Sequence, residues 1–279
     1  YIDNVGRISE IISSTDSVAG DDLYLSIDAD LQKATYLALQ NEIAAIVYSN
    51  IKSGEIPIND VYTALIGNSV INTEHFSKAK ASDTEKNVLS VFKSRQKTTL
   101  GKIKQELTSS PEALNTMSDE VLDEFTYIIS MLKDDQVLLK NEIDTSDSVY
   151  QKWKDQKISP KEYLNYCITQ HWIDISQLNV DEKYADSTEV YDALCKYILK
   201  NIKTDTEFSK IIYQYMITRG EISPRQLCLI LFDQGVLDYD DATVNKLKNG
   251  SLSPRDFLMK KIYNIEITPA QLALEPCIG

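Results

Sequence analysis

The chain has 279 residues, 43% of them hydrophobic and 25% charged, with a net charge of −13 and a pI near 4.7. That size admits one large or two ordinary domains with a substantial apolar core, and the balance of apolar to charged residues excludes disorder throughout. The acidic charge, with no visible cluster of Lys and Arg, argues against a phosphate-binding surface of the kind that nucleic acid or an anionic membrane needs.

In chain order, Tyr1 to Ser13 reads as a small hairpin turning at Asp3-Asn4-Val5-Gly6, and Leu23, Leu25 and Ile27 alternate with Tyr24 and Ser26 as in a strand. From Leu31 the spacing becomes helical, with Asp28 or Asp30 placed as a cap, and this helix is expected to reach Gly54. Helices are then predicted over Pro57 to Leu65, Ala81 to Leu107 and Ser118 to Asn141, each with an apolar stripe that reads as core packing.

The second half repeats one local grammar. Ile158-Ser159-Pro160-Lys161-Glu162-Tyr163, Ile222-Ser223-Pro224-Arg225-Gln226-Leu227, Leu252-Ser253-Pro254-Arg255-Asp256-Phe257 and Ile267-Thr268-Pro269-Ala270-Gln271-Leu272 each combine a capping hydroxyl, a proline at the first helical position and a side chain three residues on that can reach back. They predict helices over 159–171, 223–234, 253–263 and 268–275, with further helices over Ser187 to Asn201 and Thr206 to Thr218. The starts are irregularly spaced, and no 34- or 40-residue period supports a solenoid. The expected fold is mainly α, an irregular multi-helix bundle with a small N-terminal β hairpin or strand segment.

The passage from strand to helix carries a resemblance. Gly6-Arg7, Gly20, Leu23-Tyr24-Leu25-Ser26-Ile27-Asp28, Leu31-Gln32 and Ala38-Leu39 are similar to the linker that precedes the transpeptidase domain of class B penicillin-binding proteins, departing from it at Ser26, where Thr is usual. The likeness covers about forty residues at the start. Thr268-Pro269-Ala270-Gln271-Leu272-Ala273 is also similar to a segment late in that catalytic domain, but reads better as a helix start returning the chain through Pro276-Cys277-Ile278-Gly279. The resemblance implies a linker β segment over 1–30, a stem helix over 31–54, a helical insertion over 55–265 and a return segment over 266–279. The chain begins at Tyr1 and reads as an excised fragment, with the host's first catalytic motif expected beyond Gly279.

Such a host implies an ordered S-x-x-K, S-x-N and K-[ST]-G set. Ser49/Lys52, Ser77/Lys80 and Ser94/Lys97 match the first token, but no S-x-N occurs, and Lys52-Ser53-Gly54 overlaps the first match instead of lying downstream. Catalysis requires nucleophile, base and oxyanion donors to converge, so these tokens carry little weight. His75 and His171 have no partner at ligand spacing and read as surface or capped positions. Asp238, Asp240 and Asp241 suggest a calcium loop, but Thr243 and Asn249 stand where Gly and Glu are needed. Cys167, Cys195, Cys228 and Cys277 form no CxxC pair; small buried thiols are expected, with Cys277 packed or in the tail. The sixteen Tyr and two Trp fit either a core or an interface.

No catalytic, cofactor or metal residue is therefore assigned. The expected function is a non-catalytic helical insertion or pedestal of a peptidoglycan transpeptidase, the target of β-lactams. It would lie outside the cell membrane, partnered by its host's transpeptidase domain and by other cell-wall or division proteins. The alternatives are a stand-alone helical interaction adaptor and a helical enzyme with an unrecognised polar pocket.

Overall fold

The computed structural model describes residues 28–109, 112–180 and 185–274, and within them the chain is mainly α-helical. The expected N-terminal hairpin and the strand over Leu23 to Ile27 lie outside the described residues, as does Cys277. The chain divides after Leu39 into two compact units, within a single helix, α1 (Ala29–Ser53).

In the first unit the start of α1 is set by Asp28, whose Oδ1 accepts from the N–H groups of Asp30 (2.9 Å) and Leu31 (3.0 Å). These are donors that a helix N-terminus leaves unsatisfied, so the expectation that Asp28 and Asp30 serve a helix start holds. Leu31, Tyr36 and Leu39 in this part of α1 are exposed.

The second unit begins with the rest of α1, whose Ala44, Val47 and Ile51 are buried. It continues through α2 (Ile58–Gly67), α3 (Asp83–Thr108), α4 (Asp119–Asp134), α5 (Ser148–Lys154), α6 (Pro160–Thr169), α7 (Ser187–Ile202), α8 (Thr206–Thr218), α9 (Pro224–Asp233), α10 (Asp241–Asn249) and α11 (Pro254–Tyr263). At the centre is α8, packed against α2, α3 and α4. Its Phe208, Ile212, Tyr213 and Met216 are buried, and Tyr213 stacks on Phe92 of α3 with ring centroids 4.1 Å apart. The long α3 also meets α6, α7 and α9, and α9 in turn carries α10 and α11.

Most predicted helices stand within two residues of their expected bounds; two do not. The helix expected to reach Asn141 stops at Asp134. Gln136 then takes a left-handed φ of 60°, and Leu138 pairs with Ile173 as an isolated antiparallel bridge, flanked by Leu139 N–H to Trp172 O (2.8 Å) and Asp174 N–H to Val137 O (2.9 Å). The apolar residues past Asp134 continue the helical stripe in sequence but bury themselves in an extended connection. The helix expected over 268–275 is a set of turns across its described residues: Thr268 and Gln271 exchange both reciprocal capping bonds (2.8 and 3.1 Å), yet Ala273 turns left-handed at φ 49°. A cap fixes where a helix starts; it does not make the helix propagate. Two short helices, α5 and α10, are not foreseen from sequence because Asp147 and Asp240 cap them without the Ser-Pro signal.

The helix ends reveal a period that the irregular Ser-Pro spacing hides. Gly220, Gly235, Gly250 and Ile265, fifteen residues apart, all have left-handed backbone. Two residues after each, Ile222, Leu237, Leu252 and Ile267 donate their N–H groups to the carbonyls of Met216, Leu231, Lys246 and Lys261, six residues back, at 3.1–3.2 Å. That apolar residue plugs the helix end, and Ser223, Asp240, Ser253 and Thr268 cap the next helix or turn. The same closure occurs at Ser69 with Ile71 and at Gln136 with Leu138. The repeated unit is fifteen residues, a helix of nine or ten plus a linker, shorter than the 34- or 40-residue periods looked for in the sequence. An added Cβ would touch nothing at Gly220 or Gly235, so Gly220→Ala and Gly235→Ala isolate the backbone term. Each is expected to cost about 1 kcal/mol in urea unfolding, the left-handed penalty net of the unfolded-state gain.

Candidate functional site

The residues that sequence tokens single out are not assembled into one site. Ser49 lies in α1, Ser77 in the short 3-10 turn Thr73–Ser77 and Ser94 in α3, all exposed. The Ser77 hydroxyl is spent on Glu74 O (2.9 Å). His171 occupies a left-handed helix-end position at φ 58°. Asp240, one of the three acids of the supposed calcium loop, caps α10 through the N–H groups of Ala242 and Thr243, both at 3.2 Å. Among the described residues no group of three His, Cys, Asp or Glu side chains is placed to hold a metal.

His75, which has no partner at ligand spacing in the sequence, is paired with an acid ten residues on. Its Nδ1 lies 2.7 Å from Glu85 Oε1, and Glu85 is fully buried at the start of α3. Glu85 also accepts from Gln234 Nε2 (2.8 Å) and from the Ser82 N–H (2.7 Å), while Gln234 grips the backbone of Asn72 at both N–H (2.9 Å) and C=O (3.0 Å). Burial pushes the Glu85 carboxyl up, but these donors outweigh it and hold Glu85 below the ordinary Glu range. The node ties the turn before α3 to the end of α9.

A second polar node, also missed in the sequence, lies between α3, α4 and the end of α8. Both oxygens of buried Glu120 accept from Arg95 Nη2 (2.8 and 2.9 Å), and Arg219 Nη2 stands 2.6 Å from Oε2. Glu221 adds a more distant contact to Arg95 at 3.6 Å. One turn beyond Glu120, Glu124 is buried; burial, then the neighbouring Glu120 charge, push its carboxyl up to about 8 against the opposing pull of Lys102, Arg95 and Arg219. The available signal is two acids at i, i+4 beside the apolar stripe of α4, which marks a face that must be paired if it is inside.

No family model, curated protein or solved structure matches the chain. The concave feature with the most directed chemistry is a cleft of about 530 Å³ between the last turns of α1 and helix α11, lined by Tyr48, Lys52, Arg255, Asp256, Lys260 and Tyr263 over buried Met259. Tyr48 and Tyr263 meet edge to face at 5.3 Å, and Arg255 Nη2 donates to Ile51 O at 3.1 Å, closing the end of α1. Lys52, the second member of the first S-x-x-K token, is here a wall residue.

The tyrosines that could have formed an interface are largely structural. Tyr163 and Tyr213 are core residues, while other hydroxyls bind helix ends: Tyr191 to Leu107 O (2.6 Å), Tyr127 to the α8 cap Asp205 (2.8 Å) and Tyr166 to the α5 cap Asp147 (2.7 Å). The three described cysteines are buried, as expected. Desolvation pushes the thiols of Cys167 and Cys228 up to about 12 and of Cys195 to about 11, so thiolate is scarce near neutrality. In native protein, mass-mapped labelling with a thiol-specific disulfide reagent is expected to leave all three unmodified over the time in which denatured protein reacts fully; rapid labelling of any one would contradict this burial.

Proposed function

We propose that this chain is a non-catalytic helical module of a class B penicillin-binding protein, serving as a pedestal or protein-docking region for a peptidoglycan transpeptidase outside the cell membrane. The observation that carries the proposal is the junction at Asp28: the linker-like string of residues 20–40 passes into helix at Ala29, with Asp28 as its cap, where the likeness to the family linker requires a stem helix to begin. Two further observations support it. The buried carboxylates of Glu85 and Glu120 are spent on bonds that join elements of the fold, and Ser49, Ser77 and Ser94 stand exposed on three separate elements. The exposed Leu31, Tyr36 and Leu39 of α1 give the stem an apolar surface that a host domain would cover.

The test is the reading frame of the gene that encodes this segment. The proposal expects S-x-x-K, S-x-N and K-[ST]-G, in that order, elsewhere in the same polypeptide. A frame with no such set would overturn the assignment and leave the independent helical adaptor as the better account.

A further inference from the structure

We propose that the cleft between α1 and α11 binds a small phosphate monoester carried on a ring, a ligand class that the proposed pedestal role neither requires nor supplies.

The first ground is charge. In a chain with 42 acidic and 29 basic residues, the fold brings Lys52, Arg255 and Lys260 to one concavity from positions some two hundred residues apart. None of the three is in an ion pair among the described residues, although several of the chain's other cations are. The only acid on the wall, Asp256, is engaged at Oδ2 by the Ser253 hydroxyl (2.7 Å). Three cations and one carboxylate leave a local excess of two positive charges, which suits a dianionic phosphate ester better than a single carboxylate. A linear scan for basic runs cannot find such a site.

The second ground is orientation. The bond from Arg255 Nη2 to Ile51 O fixes the guanidinium at the end of α1 and leaves its other donors for a ligand. A pre-placed fork loses less conformational freedom on binding than a free arginine does.

The third ground is shape. The volume lies within the range of small-molecule sites, and the Tyr48–Tyr263 edge pair over Met259 supplies an apolar wall for a flat or puckered ring beside the charged end. Tyr263 is 54% exposed, so one face of that wall is open to an incoming ring.

The experiment is calorimetric titration of the purified chain, at low and at moderate salt, with adenosine monophosphate, glucose 6-phosphate, inorganic phosphate, adenosine and glucose. Saturable one-to-one binding of at least one ester, weakened by salt and tighter than inorganic phosphate, is expected; the two esters distinguish a nucleotide from a sugar source. Lys260→Glu and Arg255→Glu should each weaken that binding at least tenfold. Because Arg255 also closes α1, Lys260→Glu, which breaks no hydrogen bond, is the deciding variant, with its far-UV circular dichroism required to match the parent. Binding of neither ester, binding no tighter than that of inorganic phosphate, or full binding by Lys260→Glu would each overturn the proposal.

Discussion

Glu120→Ala is expected to lower the unfolding free energy by about 3–5 kcal/mol, the range for breaking a buried ion pair from one side. Glu120 receives Arg95 through both carboxylate oxygens and Arg219 through one, so its removal leaves a guanidinium whose side chain is only 15% exposed with Glu221 at 3.6 Å and the charge-coupled Glu124 carboxyl, itself pushed up by burial, as its remaining acids. The Arg95 Nε is already buried without a partner, so the guanidinium starts with one donor unsatisfied. Urea unfolding followed by circular dichroism measures the loss. The pair Arg95→Met with Glu120→Leu should cost less than Glu120→Ala alone, because it leaves neither of the two charged groups behind. A single-variant cost under about 1 kcal/mol would show that the node is solvated instead of buried.

Glu124→Gln should change the pH dependence of stability more than any other single substitution. The fold raises the Glu124 carboxyl from 4.5 to about 8, so the folded state holds a proton that the unfolded chain releases. Its contribution is fully present below pH 4.5 and is lost as pH rises toward 8, at up to about 1.4 kcal/mol per pH unit. Glu85 acts in the opposite sense: its carboxyl is held low, so its contribution is present above the unfolded value and lost as pH falls through the folded one. Together they place maximum stability in mildly acidic solution. Glu124→Gln keeps the side-chain volume and removes the ionisation, so the decline from pH 5 to pH 8 should flatten and the variant should be the more stable protein at pH 8. Parallel curves for parent and variant would contradict the burial of an ionisable Glu124.

How much of this is legible in sequence depends on the range of each signal. The starts of α6, α9 and α11 are readable because cap, proline and reaching side chain lie within four residues, and the hydroxyls of Ser159, Ser223 and Ser253 make the predicted bonds. Helix ends are harder. Left-handed closure at Ser69, Gln136, Gln156 and Ile265 is imposed on residues with no special preference for it, and there, as at His171, a buried apolar residue two positions on repays the strain. The cap at Thr268 forms without a helix because propagation depends on packing beyond the cap itself. The polar nodes are illegible for another reason: His75 and Glu85 are ten residues apart and meet through the fold of the Thr73–Ser77 turn onto α3, while Arg219 and Glu120 are nearly a hundred apart and meet only through the packing of α8 on α4. The cleft at Lys52, Arg255 and Lys260 is hidden by the same separation.

Intact-mass spectrometry after incubation with a reactive β-lactam tests most directly the claim that this polypeptide supports a transpeptidase without acylating. The mass is predicted to stay unchanged after prolonged incubation near neutral pH, with Ser49, Ser77 and Ser94 unmodified in the peptide map. A stoichiometric adduct of the β-lactam on any of the three would contradict the account.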